Sequence, residues 1–275
     1  SLTNTSCIYI KKGMEVWIAT EMCAQYLESS IDSIIVKNDH GKPIGMVGGY
    51  DLLDHLQKNP MRNNQYATKV EDVMVKDLLQ VDKKTVLKDL IEYWRGSRRA
   101  FAIIPNDYGG YSPISARKIL EIGMKCDTDI SVSSMPKKKI VTFTGDESLG
   151  EILALMYNNM TRKLVLEHSN QYISDRLILE GISKKLKYEE TDCFTDIPIR
   201  EFDFEYATVY HKDISFNRLC STMNRMDHPY IIYEDTVITP WDICLTLLSS
   251  NLFGPLRSEY REGKRVCPHC GKEIQ

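Results

Sequence analysis

Apolar positions along the chain follow two spacings, one typical of helices and the other of strands. The clearest stretch is SLGEILALMYNNM at 148–160, where apolar residues recur every three or four positions and predict an amphipathic helix. Residues 162–186 then predict a short strand, a turn at Ser169-Asn170, a second strand and a second helix. The apolar face of the first helix is predicted to hold Leu149, Ile152, Leu153, Leu155, Met156 and Met160.

The same order of elements fits three further stretches, at 14–56, 85–122 and 215–248. Their hairpin turns are predicted at clusters of turn-forming residues: Asp39, Gly41 and Pro43; Asn106-Asp107 and Gly109-Gly110; and Glu234-Asp235. A period of about sixty residues with this content predicts four βαββα repeats and an α+β fold.

Chain length agrees with this organisation. The 275 residues suit two globular modules of about 125 residues. One repeat would leave too much apolar sheet uncovered, so consecutive repeats are expected to pair. We expect the following segments: repeats at 1–60, 66–124, 128–187 and 194–252, and a tail at 253–275.

Composition narrows the functional class. Hydrophobic residues make up 43% and charged residues 27%, as in ordinary globular proteins, and the net charge of −3 provides no global field for nucleic acid or anionic membranes. The longest weakly charged stretch, 236–256, is interrupted by Pro240 and Asp242, and the N-terminus lacks the pattern of a secretory signal. We therefore expect a cytoplasmic protein without a membrane partner.

Few residues outside the repeat pattern are candidates for catalysis or metal binding. No HExxH, GxSxG or glycine-rich phosphate loop occurs, so we do not expect an enzyme. Of the dispersed histidines, His55 and His168 are expected at the surface. Six scattered cysteines are expected to be ordinary buried thiols of a reduced protein: Cys7, Cys23, Cys126, Cys193, Cys220 and Cys244.

Two segments carry a family resemblance. KVEDVMVKDLLQVDKKTVLKDLIEYW at 69–94 and GMVGGYDLL at 45–53 resemble cystathionine-β-synthase (CBS) domains, in which a glycine, two apolar residues and a [TS]-x-x-D step open the second helix. The resemblance extends over about residues 7–252. It implies tandem CBS pairs (Bateman modules) whose clefts bind adenine nucleotides or related adenosyl ligands, in a role that is regulatory rather than catalytic.

The [TS]-x-x-D step has its own physical chemistry. In the fourth repeat Thr239 stands at the N-cap, Pro240 at N1 and Asp242 at N3, an arrangement that satisfies unpaired backbone N–H groups. The resemblance implies that the same acid holds the ribose hydroxyls, because a carboxylate accepts from two hydroxyls at once. Capping alone is the alternative, and it applies less strongly to Asp51, whose N-cap position is Gly48 rather than serine or threonine.

The four copies differ at the acidic position. Asp51 and Asp242 carry the acid in the first and fourth repeats, whereas Lys118 and Leu177 stand there in the second and third. Neither lysine nor leucine can accept a hydrogen bond from ribose. We therefore expect at most one good nucleotide site in each module.

Phosphate groups need a cationic partner, which family members often place just before the strand that precedes the hairpin. Arg98 and Arg99 stand there in the second repeat, and Arg162 and Lys163 in the third. The first and fourth repeats have Asp32-Ser33 and Asp227-His228 instead.

Since paired repeats share each cleft, Asp51 is expected to hold ribose while Arg98 or Arg99 holds phosphate. Asp242 is expected to act likewise with Arg162 or Lys163. The alternative is that these cations are solvated loop residues. The candidate ligands are AMP, ADP and ATP, with S-adenosylmethionine as a further candidate.

The basic tail is chemically distinct. Cys267 and Cys270, in CPHCGK, resemble one knuckle of a zinc ribbon, which predicts a zinc site completed by a second chain or by a partner. A redox dithiol is the alternative, although no strand-to-helix context precedes the motif.

Two functional classes follow. The first is a ligand-sensing regulatory protein, expected as a homodimer, whose nucleotide occupancy repositions the tail for an unidentified protein partner. The second is a nucleic-acid or transcription-associated adaptor that uses basic residues of the tail: Arg257, Arg261, Lys264, Arg265 and Lys272.

Overall fold

The computed structural model describes residues 5–25, 33–188 and 191–250. They form a mixed α and β structure, which confirms the predicted α+β class. No helix in this described part is long and apolar enough to cross a membrane. The chain divides into two compact units, which we describe separately.

Unit 1 combines segments from the first and third predicted repeats. It comprises the described residues of Ser1–Val81, Ala102–Pro113 and Ile140–Ala207. Its helices are α1 Val16–Gln25, α2 Gly49–Lys58, α3 Arg62–Ala67, α4 Val70–Val73, α7 Leu149–Asn158 and α8 Asp175–Tyr188. Its strands are β1 Tyr9–Lys11, β2 Ser33–Lys37, β3 Pro43–Gly48, β7 Thr142–Phe143, β8 Lys163–Leu166, β9 Gln171–Ser174 and β10 Glu205–Tyr206.

Unit 2 combines segments from the second and fourth predicted repeats. It comprises the described residues of Asp82–Phe101, Ile114–Lys139 and Thr208–Gln275. Its helices are α5 Leu87–Ser97, α6 Ala116–Gly123, α9 Phe216–Asn224 and α10 Pro240–Ser249. Its strands are β6 Lys138–Lys139, β11 Thr208–Tyr210, β12 Ile231–Tyr233 and β13 Thr236–Ile238. The hairpin of β4 Phe101–Pro105 and β5 Tyr111–Ser115 contributes residues to both units.

Three sheets share one local topology. In each, the first strand pairs parallel with the second, and a helix connects the two along the chain. The second strand then forms an antiparallel hairpin with the third. The three sets are β1-β2-β3, β7-β8-β9 and β11-β12-β13. The predicted hairpin turns are confirmed in all four places, with Gly41, Gly109 and Glu234 at positive φ.

The division into units differs from the expected pairing of consecutive repeats. In unit 1, α1 and α2 of the first repeat pack against α8 of the third; in unit 2, α6 of the second repeat packs against α9 and α10 of the fourth. The periodicity of a single sequence predicts which face of a helix is apolar. It does not predict which other helix covers that face. The predicted repeat boundaries themselves stay a prediction.

Short strands near the starts of the third and fourth repeats join sheets of the other repeat. β6, near the start of the third repeat, pairs antiparallel with β13 of the fourth. β10, near the start of the fourth repeat, pairs antiparallel with β9 of the third. We call β6 and β10 lead-in strands. Each therefore places its side chains beside the hairpin strand that precedes a second helix.

Two burial predictions were wrong. Met160 lies beyond the end of α7, at φ 50°, and is 71% exposed, because the helix stops at Asn158. His55 is buried, with 8% of its surface exposed, because α2 packs with α1, α7 and α8 in unit 1. His168 is exposed as predicted. Among the six cysteines, all free, Cys23, Cys126 and Cys193 are only half-buried.

The buried imidazole of His55 makes unit 1 sensitive to acid. Its Nε2 atom is buried with no hydrogen-bond partner among the described residues, and burial lowers its pKa below the usual 6.5 despite the opposing charge of Asp54. The folded state then binds fewer protons than the unfolded state, so stability is lost as pH falls from about 6.5 towards the folded pKa.

We expect the urea midpoint to fall between pH 7.5 and pH 5.5 in the wild type, and to fall less in His55→Gln. The matched control is His168→Gln, which replaces an exposed imidazole and should keep the wild-type difference. An equal drop in His55→Gln and wild type would contradict the assignment.

Candidate functional site

The second helix of each predicted repeat begins where the [TS]-x-x-D step predicts. The N-cap is Gly48 for α2, Ser115 for α6 and Thr239 for α10, while α8 begins directly after Ser174. The four predicted positions therefore occupy equivalent places in the first turn of a helix that follows a hairpin.

Asp242 is a buried capping acid in unit 2. Its Oδ2 accepts hydrogen bonds from the backbone N–H of Thr239 at 2.8 Å and from the Thr239 hydroxyl at 2.7 Å. Both bonds end on Oδ2, so Oδ1 takes no part in the cap. Only 2% of the residue's surface is exposed.

The carboxylate of Asp242 is held at an energetic cost. Burial raises its pKa, while hydrogen bonds from Thr239 and the positive charge of Lys138 act in the opposite direction. A charged group that desolvation disfavours destabilises the fold at neutral pH relative to a neutral isostere. Capping explains the position of the side chain without explaining why an acid, whose charged form burial disfavours, stands there.

Asp51 occupies the equivalent position in unit 1. Its Oδ2 accepts from the backbone N–H of Gly48 at 2.9 Å, and 7% of the residue is exposed. Close by, α8 begins with Asp175, whose Oδ2 would lie 3.4 Å from a Cβ added to Gly49. The start of α2 therefore lies beside the start of α8, and a side chain at position 49 would crowd the Asp175 carboxylate.

The two repeats without an acid have different first turns. Lys118 forms an ion pair with Glu121, with 2.6 Å between Nζ and Oε1. Leu177 is buried, and its backbone N–H donates to the hydroxyl of Ser174 at 3.2 Å. Neither turn has an acid at the third helical position, where Asp51 and Asp242 stand in the other two repeats.

The predicted cations lie near other groups of their own units. Arg162 is half-exposed, and its guanidinium lies 3.7 Å from the carboxylate of Asp175. Lys163 lies over the ring of Tyr172, with Nζ 5.7 Å from the centroid. Arg98 ends α5 in a left-handed conformation, and Arg99 follows it. The proposed partnerships of Asp51 with Arg98 or Arg99, and of Asp242 with Arg162 or Lys163, each join residues of different units and stay predictions.

Lys138 is the charged residue near Asp242 that the sequence analysis missed. It lies in the lead-in strand β6, which pairs with β13 immediately ahead of α10. The only sequence signal was the run of three lysines at 137–139, and nothing local in that run indicates a partner strand in the fourth repeat.

The predicted zinc ligands, Cys267 and Cys270, lie outside the described residues, as do the basic residues of the tail. In the described ranges no three His, Cys, Asp or Glu residues cluster in a way that could hold a metal ion. The zinc site and the redox alternative both stay predictions.

Comparison with known proteins identifies the fold. No family model matches the chain, and no curated protein matches it. MJ1225 from Methanocaldococcus jannaschii, proposed to be an archaeal homolog of g-AMPK, matches with a TM-score of 0.71 at 15% identity, over 90% of this chain and 98% of its own. An uncharacterized conserved protein from Pyrococcus horikoshii matches with a TM-score of 0.50 at 11% identity, over 90% of this chain and 97% of its own.

CBS-domain proteins also occur among the matched structures, over smaller parts of the chain. CBSX2 in complex with AMP matches with a TM-score of 0.33 at 21% identity, over 44% of this chain and 89% of its own. That overlap is too low to assign a ligand here. Over 90% of its length, the chain has the fold of the Methanocaldococcus jannaschii protein.

Proposed function

We propose that the chain is a non-catalytic regulatory protein of four CBS repeats that senses an adenine nucleotide or a related adenosyl ligand. The proposed repeats are 1–60, 66–124, 128–187 and 194–252. Support comes from the [TS]-x-x-D steps at the starts of the second helices and from the fold shared with the Methanocaldococcus jannaschii protein. A homodimer and a protein partner belong to the same proposal.

The observation that carries the proposal is the buried carboxylate of Asp242. Its Oδ2 completes the helix cap, while its Oδ1 stays outside the cap and its charge opposes burial. A ribose offers two hydroxyl donors, which suit a carboxylate that has accepting capacity left. Asp51 is the second candidate, with the same position relative to its helix.

Burial of Asp242 has a consequence for sensing. Because 2% of the residue is exposed, a ribose reaches the carboxylate only when the groups that cover it move. Binding and rearrangement are then coupled, and the ligand shifts the protein between two states through its preference for one of them. This coupling is what a regulatory module needs.

The test is calorimetric titration of the full chain with AMP, ADP, ATP and S-adenosylmethionine. We expect heat from at least one of them, and an affinity lowered about tenfold or more in Asp242→Asn. Asparagine can keep the cap with its amide oxygen, but its NH₂ group cannot accept from a ribose hydroxyl. The thermal midpoint should therefore hold or rise, since a buried charge is removed.

The matched control is Asp235→Asn, the same charge change at an exposed residue of the turn between β12 and β13. It should leave affinity unchanged. No heat from any of the four ligands, or undiminished affinity in Asp242→Asn, would refute the proposal.

Nothing in the fold or the matched structures favours the nucleic-acid adaptor, and its basic residues lie outside the described ranges.

A further inference from the structure

The register of β6 on β13 decides which lysine faces Asp242. Lys138 lies directly opposite Val237, and Lys139 lies opposite Thr236. Directly opposed residues share a face of the sheet, and alternate residues along a strand share a face as well. Lys138 therefore projects on the side of Val237 and Thr239, whereas Lys139 projects on the other side.

That shared side is the side of the candidate site. Thr239 follows Val237 by two residues, and its hydroxyl is bonded to the Asp242 carboxylate at 2.7 Å. Lys138 is exposed. Its ammonium is close enough to lower the pKa of Asp242, against the larger effect of burial.

The equivalent position carries no cation at two other helix starts. Counting two residues back from the N-cap gives Met46 ahead of Gly48, and the residue opposite Met46 is Val75. At the third repeat, Tyr172 precedes Ser174 by two residues, and the residue opposite it is Glu205.

One structural position thus holds lysine beside Asp242, valine in the Asp51 repeat, and glutamate in the repeat where Leu177 replaces the acid. Glu205 also accepts a hydrogen bond from the Tyr172 hydroxyl at 2.7 Å, which holds its carboxyl group at this edge. Of these three helix starts in the described part of the chain, the one that carries Asp242 combines an acceptor for hydroxyls with a cation at this position.

We propose that Lys138 binds the anionic group of the ligand held by Asp242, so that this site selects a phosphorylated adenosine over adenosine itself. The inference rests on the proposed function and narrows its ligand class. S-adenosylmethionine, whose sulfonium is positive, is disfavoured at such a site, since like charges repel. The Asp51 repeat, with Val75 in the equivalent place, lacks this source of phosphate selectivity.

Calorimetry on the full chain tests the assignment with four probes: adenosine, AMP, ADP and ATP. In Lys138→Gln we expect the affinity for the tightest phosphorylated probe to fall about tenfold, with adenosine changed less than about twofold. Lys138→Arg keeps the positive charge, so it should retain most of the preference for the phosphorylated probes over adenosine. Lys139→Gln is the matched control, an adjacent exposed lysine on the opposite face, and should leave every affinity unchanged.

The outcomes separate the two proposals. If Asp242→Asn weakens nucleotide binding and Lys138→Gln does not, the role of Lys138 is overturned and the proposed function stands. An equal loss for adenosine and nucleotides in Lys138→Gln, or an equal effect of Lys139→Gln, also overturns it. A wild-type chain that binds none of the probes overturns the proposed function and this inference together.

Discussion

Gly181→Ala is expected to destabilise the protein, whereas the same substitution at Gly96 is expected to stabilise it. Both glycines lie inside helices, α8 and α5. A Cβ on Gly181 would overlap the ring of Phe202, with Cε1 at 2.8 Å, while nothing lies within 4 Å of a Cβ on Gly96. Both variants therefore gain helix propensity, but only the alanine at position 181 collides with the Phe202 ring.

The expected magnitudes follow from that difference. Overpacking at Gly181 should lower the free energy of unfolding by about 1–3 kcal/mol, because the Phe202 ring is buried and has little room to move. Gly96→Ala should raise it by about 0.4–1 kcal/mol through the unfolded state. Urea denaturation of both variants measures the two changes.

A double variant tests the cause. Phe202→Leu removes ring atoms from the collision, so Gly181→Ala should cost clearly less in that background than in the wild type. Two results would contradict the close packing of α8 on Phe202. One is that the effects of the two substitutions on the free energy of unfolding are additive. The other is that Gly181→Ala raises stability as Gly96→Ala does.

Local signals predicted much of this fold. The turns at Gly41 and Glu234 and the helix starts at Gly48 and Thr239 depend on a few neighbouring residues, so one sequence is sufficient to place them. Met160 failed for a local reason too, because the periodicity continued two residues past the point where the helix ends.

Long-range pairing could not be predicted in the same way. The partner of β6 is a strand of another repeat, and no property of the three lysines specifies it. His55 was misplaced because its burial depends on helices from distant segments of unit 1. Asp51 and Asp242 were found from sequence, whereas Lys138, which the strand register places on the Val237 side of β13 ahead of Asp242, was not.

Replacing Trp94 by alanine is expected to cause the largest loss of stability among these variants. Trp94 lies in α5 with none of its surface exposed. Removing a buried tryptophan leaves a large cavity and costs about 3–5 kcal/mol. Tyr93→Ala, at the neighbouring and 39% exposed position, should cost less than about 1 kcal/mol and serves as the control.

Trp94→Phe separates the packing of the ring from the chemistry of its N–H group. In the part of the chain that the structure describes, the buried indole Nε1 has no hydrogen-bond partner, and such a donor carries a desolvation cost of about 1–3 kcal/mol. Phenylalanine removes that donor and keeps most of the apolar contact, so we expect a much smaller loss than in Trp94→Ala. Equal losses in the two variants would show that a ring at this position contributes no packing energy.

The effect of Trp94→Ala should reach the candidate site. α5 packs against α10 in unit 2, and α10 carries Asp242 in its first turn. A cavity beneath this pair of helices loosens the cap that positions the carboxylate, so nucleotide affinity should fall together with stability. Calorimetry at a temperature where Trp94→Ala is still folded measures this; unchanged affinity there would mean that the start of α10 is held independently of α5.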